Sequence, residues 1–245
     1  MKIAVINFSG NVGKTTVARH LLLPRIAGAE LITVESLNAD DRQAQALRGR
    51  QFGELQEYLQ TVDNVVVDIG ASNVEELMAL MRKYRGSHED FDFFVVPTVA
   101  ALKQQRDTIA TLAELALLGL PASRLKLVFN IVDDDVEIAQ AFDTLLAFIA
   151  EQPIAQANTA CRIGTNEIYQ RVKSTGAELT ILARDETDYK ALIVQASSLA
   201  DKFALAQKLA NCRLARGVVP ELDACFAALG LALTPALPQL SRSVS

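Results

Sequence analysis

Short runs of consecutive apolar residues, each followed by a stretch with helical spacing, organise this chain. Ile3-Ala4-Val5-Ile6 predicts a first strand, and a helix over 15–23 follows until Pro24 stops it. Glu30–Glu35 predicts a second strand, and Asn38-Ala39-Asp40-Asp41 a loop and helix cap. The polar helical stretch behind that cap is broken by Gly49 and Gly53, with Leu55, Leu59 and Val62 as its apolar stripe. Asp63–Ile69 predicts a third strand, whose three consecutive valines are too apolar for a sheet with one wet face. Asn73 with Glu76 reads as a capping box for a helix over 74–84, with Leu77, Met81 and Tyr84 on one face. Phe91–Val96 predicts a fourth strand and Pro97-Thr98 its turn. Thr98 caps a long helix in which Leu102, Ile109, Leu112 and Ala116 recur. Lys126–Val132 predicts a fifth strand, with a helix over 135–150 behind it.

Past residue 152 the pattern fades. Pro153–Ala157 is the candidate sixth strand. Thr165 caps a helix to Ser174 that Gly176 ends, and 186–215 reads as one long helix with Leu192, Ala196, Leu199, Phe203 and Ala210 inward. Strands alternating with helices predict an α/β fold, a doubly wound and mostly parallel sheet with helices on both faces. No repeat, low-complexity segment or linker divides the 245 residues, so one domain is expected, with a helical C-terminal part (about 186–233) and an irregular tail.

Ligands of such sheets bind at the carboxyl ends of the strands, and the chemistry-bearing residues fall there. Lys2–Thr16 (KIAVINFSGNVGKTT) has the order strand, glycine loop, helix. Backbone N–H groups from Ser9, Gly10, Asn11, Val12 and Gly13 can curl around a phosphate chain, with the helix dipole facing it. Lys14 adds a point charge, the Thr15 hydroxyl is a candidate Mg²⁺ ligand, and Thr16 belongs to the same first turn. An ordinary glycine turn before a helix is the plainer alternative. Asp68, after the valines, is a candidate metal carboxylate acting through a water. Glu35, ending the second strand, is a candidate for orienting an attacking water or the metal, with Asp40 and Asp41 as competitors. Asn130, in FNIVDD, could read a base or simply close a strand-to-loop turn. Asp133 makes an Asn-x-x-Asp arrangement that reads guanine; the Ile131 after the Asn favours adenine, and GTP or CTP stays open beside ATP.

Composition narrows the partners. The formal net charge is −5, with no global footprint for DNA. Arg82-Lys83-Arg85 and Arg213/Arg216 read as solvated helix ends. Three cysteines without a CxxC pair and the lack of a cleavable leader suggest a reduced, cytoplasmic protein. His20 and His88 show no metal-ligand spacing, and His20 reads as a surface or packing residue on the first helix. The uncharged stretch 224–241 is interrupted by Gly230, Pro235 and Pro238, so it should fold back on the domain or bury against a partner and not span a membrane.

The loop Phe8–Thr16, with VVVDIGAS and VFNIVD, resembles the ParA/MinD class of deviant P-loop ATPases. Within it, MKIAVINFSGNVGKTT and VESLNADD are most similar to the StbB/TraL proteins of plasmid stability and conjugation. The resemblance covers roughly residues 1–180 in element order. It implies ATP·Mg²⁺ as cofactor and a nucleotide-dependent homodimer. The expected role is a molecular switch in plasmid stability, partition or conjugation. Such a switch acts through a plasmid-encoded DNA-binding adaptor, so DNA is reached indirectly, in a bacterial cytoplasm. It also implies catalytic roles for Lys14, Glu35 and Asp68. The chain departs from the class pattern where Ser9 replaces a second lysine, Asn11 a glycine, and Glu35 an aspartate. A missing cation predicts weak hydrolysis. An ATP-dependent ligase of the dethiobiotin-synthetase type and a non-hydrolysing nucleotide-binding scaffold are the alternatives. The last residues (SRSVS) supply no basic amphipathic anchor, so no direct membrane attachment is expected.

Overall fold

In a computed structural model that describes residues 1–34, 51–173 and 175–232, six strands form one all-parallel sheet in the order β2-β3-β1-β4-β5-β6. They are β1 (Lys2–Val5), β2 (Glu30–Val34), β3 (Val65–Ile69), β4 (Phe93–Thr98), β5 (Leu125–Val132) and β6 (Arg162–Gly164). After β1 the chain builds outward to β2 and β3, then crosses over to add β4, β5 and β6 on the other side. The carboxyl end of β1 therefore lies at the switch point where such sheets bind ligands. The register sets Val5 opposite Asp68 of β3 and Val95 of β4, so the third-strand carboxylate lies beside the exit of β1.

Both sheet faces are covered, as the valine run required. On one face Val65, Val67, Phe94, Leu127 and Phe129 pack under α2 (the helix at 51–59), α3 (Val74–Lys83), α4 (Leu102–Leu117) and α6 (Asp143–Glu151). There the Phe129 and Phe142 rings meet edge to face at 4.8 Å. On the other face Ile3, Val5, Val66 and Val128 pack under the first helix, α7 (Ile168–Lys173), α8 (Leu179–Arg184) and α10 (Leu199–Leu229). Cys161, Cys212 and Cys225 are free and buried, and burial pushes the Cys161 thiol up to about 11, which makes it inert.

Several boundaries differ from the sequence reading, each for a local reason. Pro97 and Thr98 belong to β4 and form no turn. β1 pairs with β4 only as far as Val95, so the missing proline N–H falls beyond that ladder. Ala101, not Thr98, precedes α4, and Leu102 is exposed. Asn73 makes no cap bond to its own helix; its amide donates to the Val34 carbonyl at 2.9 Å and so ties α3 to β2. The helix at 135–150 divides into α5 (Ile138–Ala141) and α6 at Phe142. The sixth strand is Arg162–Gly164, while Pro153–Ala157 contributes only a bridge from Gln156 to Lys126. Asn166, not Thr165, accepts from the Ile168 N–H at the start of α7, and Gly176 follows it at φ 65.

The helix predicted over 186–215 is two helices. Asp188 caps α9 (Tyr189–Gln195) and Ser198 caps α10. α10 runs 31 residues, roughly 46 Å at 1.5 Å per residue, through Pro220 to Gly230 at φ 57. Leu192, Leu199 and Phe203, expected inward, are exposed. Of the uncharged stretch, Cys225, Leu229 and Leu231 bury against the sheet; 233–241 lies outside the described residues. Arg216 is exposed but not merely solvated, since its guanidinium donates to the Ala183 and Asp185 carbonyls. No helix among the described residues is long and apolar enough to cross a membrane.

Candidate functional site

β1 gives way after Val5 to a loop that returns as α1 (Lys14–Thr16), continued without a break by a π-helical turn over Val17–Leu22. Such turns inside a helix are frequent at functional sites. Gly13 occupies the cap position at φ 83 and no side chain caps the first turn. The leading N–H groups of that helix are therefore left to an outside acceptor. Asn11 at φ 58 and Gly13 at φ 83 are left-handed on either side of Val12, and left-handed residues of this kind occur in loops that gather N–H groups into an anion-binding concavity.

The Lys14 side chain is buried and its ammonium donates to the carbonyls of Ser9 (2.6 Å) and Asn7 (3.1 Å). Burial pushes it down to about 8, against the upward pull of the Asp68 charge. A cation so desolvated is a strong partner for an anion brought beside it. The Thr15 hydroxyl donates to the Asp68 Oδ2 at 2.7 Å, so helix and third strand meet through the two residues expected to share a metal. Two hard oxygen donors held together suit Mg²⁺, which usually takes one or two protein oxygens and completes its shell with phosphates and water.

The loop is supported from behind by side chains the sequence reading did not single out. Asn7 is wholly buried. Its amide donates to the Pro97 carbonyl (2.9 Å) and the Thr108 hydroxyl (2.8 Å), and its oxygen accepts from the Ser9 N–H (2.8 Å). Thr111 accepts from the Phe8 N–H at 3.0 Å. Gln105, on the same face one turn before Thr108, donates to the Ala100 and Ala141 carbonyls and accepts from the Leu145 N–H. A buried polar group without a partner costs about 1–3 kcal/mol, so this satisfied network fixes one arrangement of loop and helix. The signal was present as Gln105, Thr108 and Thr111 at a spacing of three, one face of a helix.

Of the predicted residues, the structure brings Ser9, Gly10, Asn11, Val12, Gly13, Lys14, Thr15, Thr16 and Asp68 together at one rim. Ser9, where the resemblance has a lysine, is buried with its N–H and carbonyl both engaged. Asn130 comes to the same place, but beneath the loop: it is buried and its amide donates to the Val12 carbonyl at 2.8 Å. Glu35, Asp40 and Asp41 lie outside the described residues. Asp133 is exposed in the loop after β5. His20 is a packing residue, buried with its ring centroid 5.8 Å from that of Tyr169.

The parallel six-stranded sheet, the glycine loop behind its first strand and the covering helices make this a P-loop nucleoside triphosphatase fold. Solved structures of similar shape include McdA from Cyanothece without nucleotide, at 17% identity and a TM-score of 0.51 over 85% of this chain and 98% of that one. An ATP complex of a McdA variant aligns at 15% identity and a TM-score of 0.46 over 86% and 96%. A plasmid partition protein of Borrelia burgdorferi bound to AMPPNP aligns at 12% and 0.44 over 85% and 97%. No family model matches the chain, and no curated protein matches its sequence.

Proposed function

We propose that this protein is a nucleotide-dependent molecular switch that binds ATP with Mg²⁺ in the Ser9–Thr16 loop and hydrolyses it slowly. The observation that carries the reading is the 2.7 Å bond between the Thr15 hydroxyl and the Asp68 carboxylate, beside a buried Lys14 at the head of the first helix. Bound Mg²⁺ would offset charge on the phosphate oxygens, and Thr15 and Asp68 are the residues to hold it. Lys14, now donating to two carbonyls of its own loop, would exchange them for phosphate oxygens. Slow turnover follows from Ser9, which carries no cation to a second phosphate set and whose backbone is tied to Asn7 and Lys14. Action in plasmid stability, partition or conjugation through a DNA-binding adaptor, and an ATP-bound homodimer, rest on the sequence resemblance.

Calorimetry with ATP, GTP and CTP, each with Mg²⁺, tests the reading. Wild-type protein is expected to bind ATP and Lys14→Ala to lose at least about tenfold in affinity, the usual scale for a desolvated charge contact. Equal binding by wild type and Lys14→Ala would overturn the site assignment. Turnover of about 1 per second or more would overturn slow hydrolysis.

A further inference from the structure

Asn130 sits at the end of β5 where the strand breaks its own alternation. Val128 packs on the face that carries the first helix, and Asn130, two residues on, turns to the same side and meets the loop. Val132 has the same parity yet packs in the opposite core. Ile131 makes the change possible: it has φ 56, and the pairing with β6 shifts register between Asn130 and Val132. A β-branched residue in the left-handed region is a true outlier, so the surrounding structure must hold it there. Without the extra residue, either Asn130 would leave the loop or Val132 would leave its core.

The strained bulge goes with one hydrogen bond. The Asn130 amide donates to the Val12 carbonyl, and both residues are buried. In a trans peptide the carbonyl and the next N–H point in opposite directions. Holding the Val12 carbonyl down onto Asn130 therefore turns the Gly13 N–H away from Asn130, toward the open side of the loop. It also keeps a negative carbonyl end out of the concavity. Gly13 is matched to this contact: a Cβ there would lie 1.9 Å from the Asn130 amide nitrogen, besides being strained at φ 83.

We infer that Asn130 is a positioning residue for the phosphate loop, clamping the Val12 carbonyl so that the loop keeps its N–H groups turned toward phosphate, and is not a reader of the base. The inference rests on phosphate binding by that loop. Its consequence is that Asn130 serves any triphosphate, with or without a base.

Inorganic tripolyphosphate is the probe that separates the roles, titrated with Mg²⁺ alongside ATP and GTP into wild type, Asn130→Ala and Asn130→Asp. A clamp predicts that both variants weaken all three ligands by a similar factor, about tenfold or more as for a lost buried hydrogen bond. Asn130→Asp should be the weaker, because a carboxylate cannot donate to Val12. Unchanged tripolyphosphate affinity with altered ATP-to-GTP preference would overturn the clamp in favour of base reading. Unchanged affinity for every ligand would overturn both roles. Failure of wild type to bind any of the three would instead remove the phosphate site itself. Should the variants not fold, the side-chain amide signals of Asn130 in wild-type NMR decide. Tripolyphosphate must shift them as much as ATP does, and a shift with ATP alone would overturn the clamp.

Discussion

Phenylalanine is used in opposite ways in two regions of this chain. In the sheet, Phe94 and Phe129 are wholly buried, and Phe129 meets Phe142 across the layer between β5 and the helices. In the first turns of α10, Phe203 is 66% exposed and its neighbour Leu199 80%. The inner strands β3, β1, β4 and β5 are buried on both faces, so their apolar side chains, Ile131 excepted, meet another element. α10 is longer than the sheet it covers: from Cys212 onward it buries Ala215, Val218, Leu222, Cys225 and Leu229, while its first turns run past the layer. The difference teaches that the stability which positions the phosphate loop comes from the sheet and its nearest helices. The start of α10 carries the Ser198 cap, whose hydroxyl accepts from the Asp201 N–H at 3.0 Å, while Arg216, midway along the helix, donates to the Ala183 and Asp185 carbonyls at the end of α8.

The largest test of this contrast is Phe129→Ala. It removes the ring at the centre of one core, between β5 and Phe142, and should cost about 3–5 kcal/mol in urea-induced unfolding. A loss below about 1 kcal/mol would mean that this layer is not the close-packed one described.

The same contrast explains what the sequence could reveal. β1, β3 and β5 were legible because a parallel strand buried on both faces reads as a near-continuous apolar run, interrupted here only by Lys2, Asp68, Lys126 and Asn130. That Lys14, Thr15 and Asp68 would come together was legible because a glycine loop after β1 and a carboxylate in β3 meet at one end of a parallel sheet. Helix faces were harder. In α4 the inward side carries Thr108 and Thr111, which hold Asn7 and the loop, and Gln105, which holds α5 and α6, so apolar spacing found the buried Leu112 but also put the exposed Leu102 inside. In α9 and α10 an exposed apolar stripe reads like a buried one, and the break between them is marked by the cap Ser198. The side of Asn130 depended on a bulge at Ile131, which no local residue announces.

An intermediate effect is expected where the first helix packs on α7 and the buried half of α10. His20, on the π-helical turn behind the loop, packs on Tyr169 of α7, and Arg25 nearby bonds to its carbonyl and to Asp223 of α10. Burial, helped by the Arg19 charge, pushes His20 down from the usual 6.5 to about 4. The unfolded chain therefore takes up the proton first. Its contribution to stability is complete above pH 6.5 and is lost as pH falls toward 4, by at most about 3 kcal/mol. Urea midpoints at pH 7, 5.5 and 4 should fall for wild type and fall less for His20→Leu. Identical slopes in the two proteins would show that this ring is not held neutral there.

The smallest effect belongs to the start of α10, and its smallness is the point. Replacing Leu199 or Phe203 by Ser removes apolar surface that water already reaches. The transfer term that dominates at Phe129 is then nearly absent, and no cavity is left behind. Ser also lowers helix propensity slightly compared with Leu, and little compared with Phe. Each substitution should therefore change unfolding free energy by no more than about 0.5 kcal/mol, the range for surface positions. Measured beside Phe129→Ala under the same conditions, the ratio matters more than either value. A loss above about 1 kcal/mol at Phe203 would mean that this ring is covered in solution, and the division between a packed sheet and a solvated helix start would no longer hold.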